Sequence, residues 1–419
     1  MRILHTSDWH LGFGGGPLAR SEDHERFLDW LLQTLRDSTV DVLVVAGDIF
    51  DALQPSAEAQ EQYFRFLARL PSTGTRCAVI VGGNHDSASR LDAPAELLGA
   101  LHIHVIGGLP QESQLDRCLV PLPDRDGGTA AVALAVPYFH EFRLGVRGTE
   151  MEPPALRALF TDRFAALYTR LADMAQARWP GLPLLCTGHL ALSTAGPEDY
   201  LQEIHLIGQI GCLPETILDD RVQYAALGHL HGLRPLRGGR AWYCGTPLPF
   251  TVAEAKSPRR VLLVDLDPRP EGQATVTPLK VPIFRALLEL RAPPDPLVQA
   301  VRDLVWSEPL PPLLFLRTVT DEPQPVLVRR LHEALAEFPE NRRPRLADLR
   351  YEATAPSEGD TVAIAPTLEE STPREIFATL CRARGLSEAA NLEQAFATLQ
   401  AYDADSFEAE LDRILEDRP

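Results

Sequence analysis

Five apolar runs in this chain each end in residues able to hold a metal ion. Ile3-Leu4-His5-Thr6-Ser7 leads into Asp8-Trp9-His10, and Val42-Leu43-Val44-Val45-Ala46 into Gly47-Asp48. Ala78-Val79-Ile80-Val81 leads into Gly82-Gly83-Asn84-His85-Asp86, Leu184-Leu185-Cys186-Thr187 into Gly188-His189, and Tyr224-Ala225-Ala226-Leu227 into Gly228-His229-Leu230-His231. The candidate ligands are Asp8, His10, Asp48, Asn84, His189, His229 and His231. Mixed carboxylate, amide and imidazole donors suit borderline-hard ions such as Mn²⁺, Fe²⁺ or Zn²⁺. The set exceeds what one ion needs, and Asp48, central in it, is the natural bridge between two. Two ions about 3.5–4 Å apart would share a hydroxide and clamp an in-line displacement at phosphorus.

His85 follows Asn84 directly and can face a substrate instead of a metal. A protonated imidazole there would stabilise a phosphorane or protonate the leaving oxygen, with Asp51 orienting and charging it. Asp86 reads as the N-cap of a helix starting at Ser87. His5, His24, His102, His104, His140, His205 and His332 fall outside the pattern and read as ordinary. Taken singly, an Asp or His at a strand end is more often a cap or a surface residue. Coincidence is a poor account of the whole set.

Elements must bring these strand ends together. An uninterrupted apolar run bounded by glycine, as at 42–46, reads as a strand buried on both faces. Phe27, Leu28, Leu31, Leu32 and Leu35 follow an expected N-cap at Ser21 with helical spacing, giving a parallel βαβ opening unit. Further helices are expected from Ser56 to Leu70, from Ser87 to Ala100 and from Pro154 to Arg178. Strands are expected near 103–106, 118–122, 130–136, 241–244, 261–266 and 274–280. The glycine-rich stretch Leu11 to Pro17 lacks the third glycine and the acidic partner of a dinucleotide fingerprint, so it reads as a flexible loop beside the metal site. In open α/β sheets ligands gather at the carboxyl edge of the strands, where all seven candidates lie.

Composition shifts near Pro282. Strand, helix, strand, helix, strand (284–290, 296–305, 313–319, 326–338, 346–351) with proline-rich turns describe a small α+β domain. A polar linker, 355–366, then leads to three short acidic amphipathic helices suited to docking on a partner. The expected domains are 1–282, 283–354 and 355–419.

The chain has 419 residues, enough for two or three domains, and a net charge of −18, which does not advertise nucleic-acid binding. Its 6 cysteines form no CxxC pair, which argues against a zinc ribbon or disulfide framework, and most read as small buried apolar residues. No run approaches the ~20 apolar residues needed to span a bilayer. Asp8 arrives too early for a signal peptide, so a cytoplasmic location is expected. There is no GxxxxGK[ST] loop, so any ATP dependence must come from another chain.

The ordered set Asp8-Trp9-His10, Gly47-Asp48-Ile49-Phe50-Asp51, Gly83-Asn84-His85-Asp86, Gly188-His189 and Gly228-His229-Leu230-His231 resembles the calcineurin-like metallophosphoesterases. The words MRILHTSDWHLG, AGDIFD, GNHDS, ALGHLH and YCGTPLPF are similar to those of one branch, the bacterial SbcD nuclease subunits. The resemblance implies an α/β fold, a four-layer αββα sandwich with a capping domain and C-terminal helices. It implies that Asp8, His10, Asp48 and His231 hold one metal, that Asp48, Asn84, His189 and His229 hold a second, and that His85 is catalytic. Asp51 stands where some archaeal relatives carry histidine, so the partner of His85 is the least secure of these roles. The resemblance further implies manganese, exonuclease action on double-strand ends, endonuclease action on hairpins and single strands, and roles in DNA repair, recombination and replication. The implied partners are DNA, an SbcC-type ATPase subunit docked on the C-terminal helices, and a second copy of the chain. Arg329-Arg330 and Arg342-Arg343-Pro344-Arg345 are candidate phosphate contacts, with a solvated surface the equal alternative. Two other readings use the same residues: a phosphatase or small-molecule phosphodiesterase, and a DNA-end-binding scaffold without cleavage.

Overall fold

The computed structural model describes residues 1–139, 153–193, 212–320 and 326–352. The apolar runs form strands because each is flanked on both faces by other apolar layers. β1 (Arg2–Thr6), β2 (Val42–Ala46), β3 (Cys77–Val81) and β4 (Ile103–Ile106) pair in parallel. α1 (Ser21–Asp37) and α2 (Ala57–Arg69) are the crossovers between the first three. Two short helices, α3 (Ala88–Asp92) and α4 (Ala95–Gly99), precede β4.

A second sheet begins with β5 (Leu119–Pro123) and β6 (Thr129–Leu134). After α5 (Pro153–Arg178) it takes up β7 (Leu184–His189). β8 (Leu192–Ser193) and β9 (Leu213–Pro214) form a two-stranded pair beyond it. β10 (Val222–Gly228), β11 (Arg234–Leu236) and β12 (Ala241–Tyr243) complete the second sheet in the order β11-β12-β10-β7-β6-β5. The one-turn α6 (Val252–Ala255) follows, and β13 (Arg260–Asp265) and β14 (Thr275–Lys280) return to the first sheet, giving β14-β13-β1-β2-β3-β4.

Alternation along the strands sorts the layers. Leu4, Leu43, Val45 and Ile80 share a core with Phe27 and Leu31 of α1 and Tyr63 and Phe66 of α2. Ile3, Val42, Val44 and Val79 belong to a second core with the other sheet and with Tyr168 and Leu171 of α5. The layers therefore run helices, sheet, sheet, helix, the αββα arrangement expected.

The last described segment has a sheet of its own. β15 (Arg285–Ala292), α7 (Pro294–Arg302), β16 (Leu310–Val319), α8 (Leu327–Ala336) and β17 (Arg345–Glu352) alternate as the sequence pattern places them. The three strands are parallel, and both helices pack on them around Leu297, Val301, Leu314, Leu331 and Leu335. Buried charge ties this sheet to the body. The Arg285 guanidinium donates to Asp23 at 2.8 Å and to Glu22 at 2.8 Å, and Arg20 donates to Asp23 at 3.0 Å and to the carbonyl of Pro249 at 2.7 Å. Leaving Arg20, Asp23 or Arg285 alone inside would be costly, so the group fixes α1 against the loop carrying Pro249.

Two local expectations change. Ser21 is the first helical residue and Arg20 holds the cap position, its side chain spent on Asp23 instead. The helix expected over 87–100 breaks into α3 and α4 around Pro94, which has no N–H to continue it. Ser56, by contrast, does cap α2, accepting from the N–H of Ala59. His140, His205, Cys381 and the C-terminal helices expected after 366 lie outside the described residues. The five cysteines inside them are all free and buried. No helix among the described residues is long and apolar enough to cross a membrane.

Candidate metal centre

The carboxyl ends of β1, β2, β3, β7 and β10 open on the same edge, and the seven candidate ligands meet there. The loops after β1 and β2 stay hydrogen-bonded past the sheet: Asp8 N–H to Gly47 O and His10 N–H to Asp48 O, each 3.0 Å. Trp9 wedges this loop in place, its ring edge-on to Phe27 and Phe66 and its indole N–H on Thr6 at 3.0 Å. The buried His24 holds the Trp9 carbonyl at 2.9 Å, a structural task that fits its reading as ordinary.

Asp8, His10, Asp48 and His229 have positive φ, at 52°, 47°, 48° and 95°. Such a backbone costs a non-glycine residue about 1–3 kcal/mol and persists only where its surroundings over-determine it. Here they do. Asp8 accepts from the N–H of His229 at 2.9 Å and from the Ser7 hydroxyl, and Asp48 accepts from the N–H of His85 at 2.9 Å. Two glycines give the space. A Cβ on Gly47 (φ 90°) would strike the His189 ring, and one on Gly83 would strike Asp48.

The electrostatics identify what the centre can bind. His189 Nδ1 lies 2.9 Å from the carbonyl of Ala46, which can only accept, so that nitrogen carries a proton. Its Nε2 then faces two more oxygens, Asp48 at 3.2 Å and Asn84 at 3.0 Å. His229 Nδ1 meets the same Asn84 oxygen at 3.1 Å. A neutral imidazole would turn a lone pair on those oxygens, so the cluster requires positive charge. Burial disfavours charge on both Asp48 and His189, but their mutual attraction outweighs it: Asp48 is held well below the carboxylate range and His189 is raised to about 9. Burial, then His189, push His229 down to about 3. On the other side, Asp8, His10 and His231 offer ligand atoms within 4.8 Å of one another. Both His10 nitrogens are buried without a hydrogen-bond partner. Orphaned imidazole nitrogens beside carboxylates fit a divalent cation.

His85 is half-buried, with its ring 4.8 Å from that of His10. Its Nδ1 donates to the backbone carbonyl of Asp51 at 2.8 Å, while the Asp51 carboxylate lies 3.3 Å from His10 Nδ1. Asp51 thus orients His85 through its main chain and turns its charge towards His10. Asp86 does not cap a helix: Ser87 holds that position. Its buried carboxylate accepts from the N–H groups of Ile49, Phe50 and Gly83 at 3.0, 2.9 and 2.8 Å, stitching the β2 and β3 turns together. Burial, then the charge of Asp48, raise it to about 6 despite those bonds.

Sequence reasoning missed Glu254, whose carboxylate lies 2.9 Å from His231 Nδ1. The signal was present as Thr251-x-x-Glu254, a capping box. Of the arginines weighed for phosphate contact, Arg330 pairs with Asp295 at 2.5 Å and Arg329 with Glu333 at 3.6 Å. Arg342 lies over the Trp306 ring at 4.8 Å, Arg345 is partly buried and Arg343 is exposed.

The calcineurin-like phosphoesterase family model matches residues 1–233. A protein of Rhodobacter capsulatus named as the SbcD component of the SbcCD nuclease is 36% identical, over 90% of this chain and 94% of its own. The proteins of the same name from Escherichia coli and Bacillus subtilis are 33% and 30% identical, over 70% and 65% of this chain and 71% and 68% of theirs.

Proposed function

Since this chain belongs to the calcineurin-like phosphoesterases and, among them, to the SbcD family of nuclease components, we propose that it is a metal-dependent DNA nuclease subunit. It hydrolyses phosphodiesters at double-strand ends and in hairpins or single strands. The observation that carries the reading is the set of acceptors around His189 Nε2, together with the buried nitrogens of His10, which face the carboxylates of Asp48 and Asp51 without a hydrogen bond.

Asp8, His10, Asp48 and His231 would hold one divalent ion, and Asp48, Asn84, His189 and His229 the other. Mn²⁺ is the first choice among ions for this donor set. Bound there, the ions would supply charge that offsets the phosphodiester and would lower the pKa of a water to near neutrality. The chain's own residues do the rest. The positive-φ turns hold Asp8, His10 and Asp48 in position before any substrate arrives, so little reorganisation is left for the reaction. Nδ1 of His85 is fixed by the Asp51 carbonyl, which leaves Nε2 to carry a proton to the departing oxygen.

The partners proposed are DNA, an SbcC-type ATPase and a second copy of the chain. The segment 283–354 is proposed as the capping domain that contacts DNA, with exposed Arg343 its first candidate. The residues after 354 are proposed to dock the ATPase. Roles in repair, recombination and replication follow from the same assembly, and the place of work is the cytoplasm.

The test is Mn²⁺-dependent cleavage of an end-labelled DNA hairpin, with and without the ATPase. Wild type should cleave, and His85→Ala should lose roughly 100-fold or more of the rate with its metal content unchanged. Turnover of a phosphomonoester with no cleavage of DNA, even with the ATPase present, would overturn the nuclease in favour of a phosphatase. Metal-independent DNA binding without cleavage would leave a scaffold.

A further inference from the structure

Glu254 sits on α6, and each oxygen of its carboxylate has a separate task. Oε2 accepts from the N–H of Phe250 at 2.6 Å and of Thr251 at 3.1 Å, and the Thr251 hydroxyl accepts in return from the Glu254 N–H at 3.2 Å. Oε1 faces Nδ1 of His231 at 2.9 Å. An ionised carboxylate only accepts, so His231 must place its proton on Nδ1 and keep the lone pair on Nε2. The separation of the two residues is fixed by a third. Arg259 donates to the backbone carbonyl of His231 at 2.9 Å and to that of Glu254 at 2.8 Å. Phe250, held by Oε2, in turn packs its ring 5.3 Å from that of His10 and 5.9 Å from that of His231.

We propose that Glu254 is a positioning residue for the metal centre: it sets the tautomer and angle of His231, and through Phe250 it presses His10 and His231 together. This rests on the reading of His231 as a metal ligand. A carboxylate behind a ligating imidazole raises its basicity and holds its orientation, and losing it lowers metal affinity roughly 10–100-fold. The geometry also says which substitution is informative. Glutamine keeps the size of the side chain and can still complete a capping box. It has only one accepting oxygen where the site uses two. With that oxygen on Phe250 and Thr251, the amide N–H₂ faces His231 and drives the proton to Nε2, where a metal would bind.

The test is titration of the metal-free, full-length chain with Mn²⁺, with the free ion read by its six-line paramagnetic resonance signal. Wild type, Glu254→Gln and Thr251→Ala are compared, and the His231 tautomer of each metal-free form is read by ¹⁵N NMR. Thr251→Ala weakens the cap without touching His231. Expected is a roughly 10–100-fold loss of affinity at one of two sites in Glu254→Gln, with its His231 proton moved to Nε2. Thr251→Ala should stay within about twofold of wild type with the proton on Nδ1. Equal losses in both variants, or no loss and no tautomer change in Glu254→Gln, would overturn the proposal. Wild type that binds no Mn²⁺ would remove the metal centre itself, a result distinct from both.

Discussion

At the scale of single residues, burial decides charge, and His5 shows it outside the centre. It lies wholly inside, between the sheets, with Nδ1 2.8 Å from the Tyr224 hydroxyl. Burial lowers its pKa from 6.5 to about 3, so it stays neutral in the folded chain where the unfolded chain takes up a proton. The sign follows from that. The stability this group contributes is complete above pH 6.5 and falls as the pH drops from 6.5 towards 3, by about 1.4 kcal/mol per unit. Replacing His5 with Asn removes the titration. Urea unfolding of the metal-free chain between pH 7 and pH 5 should therefore show a shallower loss of stability in His5→Asn than in wild type, by about 1–2 kcal/mol over the interval. The slope is the readout, because the substitution also changes packing. Equal slopes would mean that His5 is charged or solvated when folded. The same scale explains what the sequence could not tell about Asp51 and Asp86. Spacing places a carboxylate near His85, but only the turn geometry decides whether its side chain or its carbonyl does the holding.

At the scale of elements, the strand-end turns are the unit of function. Nearly every strand and helix around the centre was legible, because apolar runs ended by Gly, Asp and His mark where a buried strand stops. What was illegible depended on competition between neighbours. Ser21 loses the cap position because Arg20 is drawn to Asp23, the carboxylate that also binds Arg285, 262 residues further along the chain than Asp23. Glu254 completes the capping box of α6 with one oxygen, yet its second oxygen meets His231, which follows β10 in the chain. The turn after β2 shows how narrow the tolerance is. Gly47 has φ 90°, and any side chain there would enter the His189 ring. Gly47→Ala should displace His189 and lower stability by about 2–4 kcal/mol, the backbone strain adding to the clash. Tight Mn²⁺ binding should fall from two equivalents to one or none. A Gly47→Ala chain with wild-type melting temperature and metal content would show that the turn is softer than its contacts indicate.

At the scale of the whole molecule, the question is how an acidic chain of net charge −18 works on an anionic polymer. Divalent ions at the centre offset part of that charge locally, and the acidic excess after residue 366 lies in the stretch proposed to meet the ATPase. The chain divides into two units, Met1–Glu352 and Ala353–Pro419. Every candidate ligand, His85, Glu254 and the buried Arg20–Asp23–Arg285 group fall in the first unit. The described residues that build its three apolar cores all precede residue 353. A chain ending at Glu352 should therefore fold, melt within a few degrees of the full chain and bind Mn²⁺ with the same stoichiometry. It should lose its association with an SbcC-type ATPase, measured by co-elution of the two chains on size exclusion. Any cleavage that the full chain performs alone should survive, while stimulation by ATP and the partner should vanish. Retained association would move the docking surface into the first unit, where the exposed Ile283 and Val305 would become the place to look.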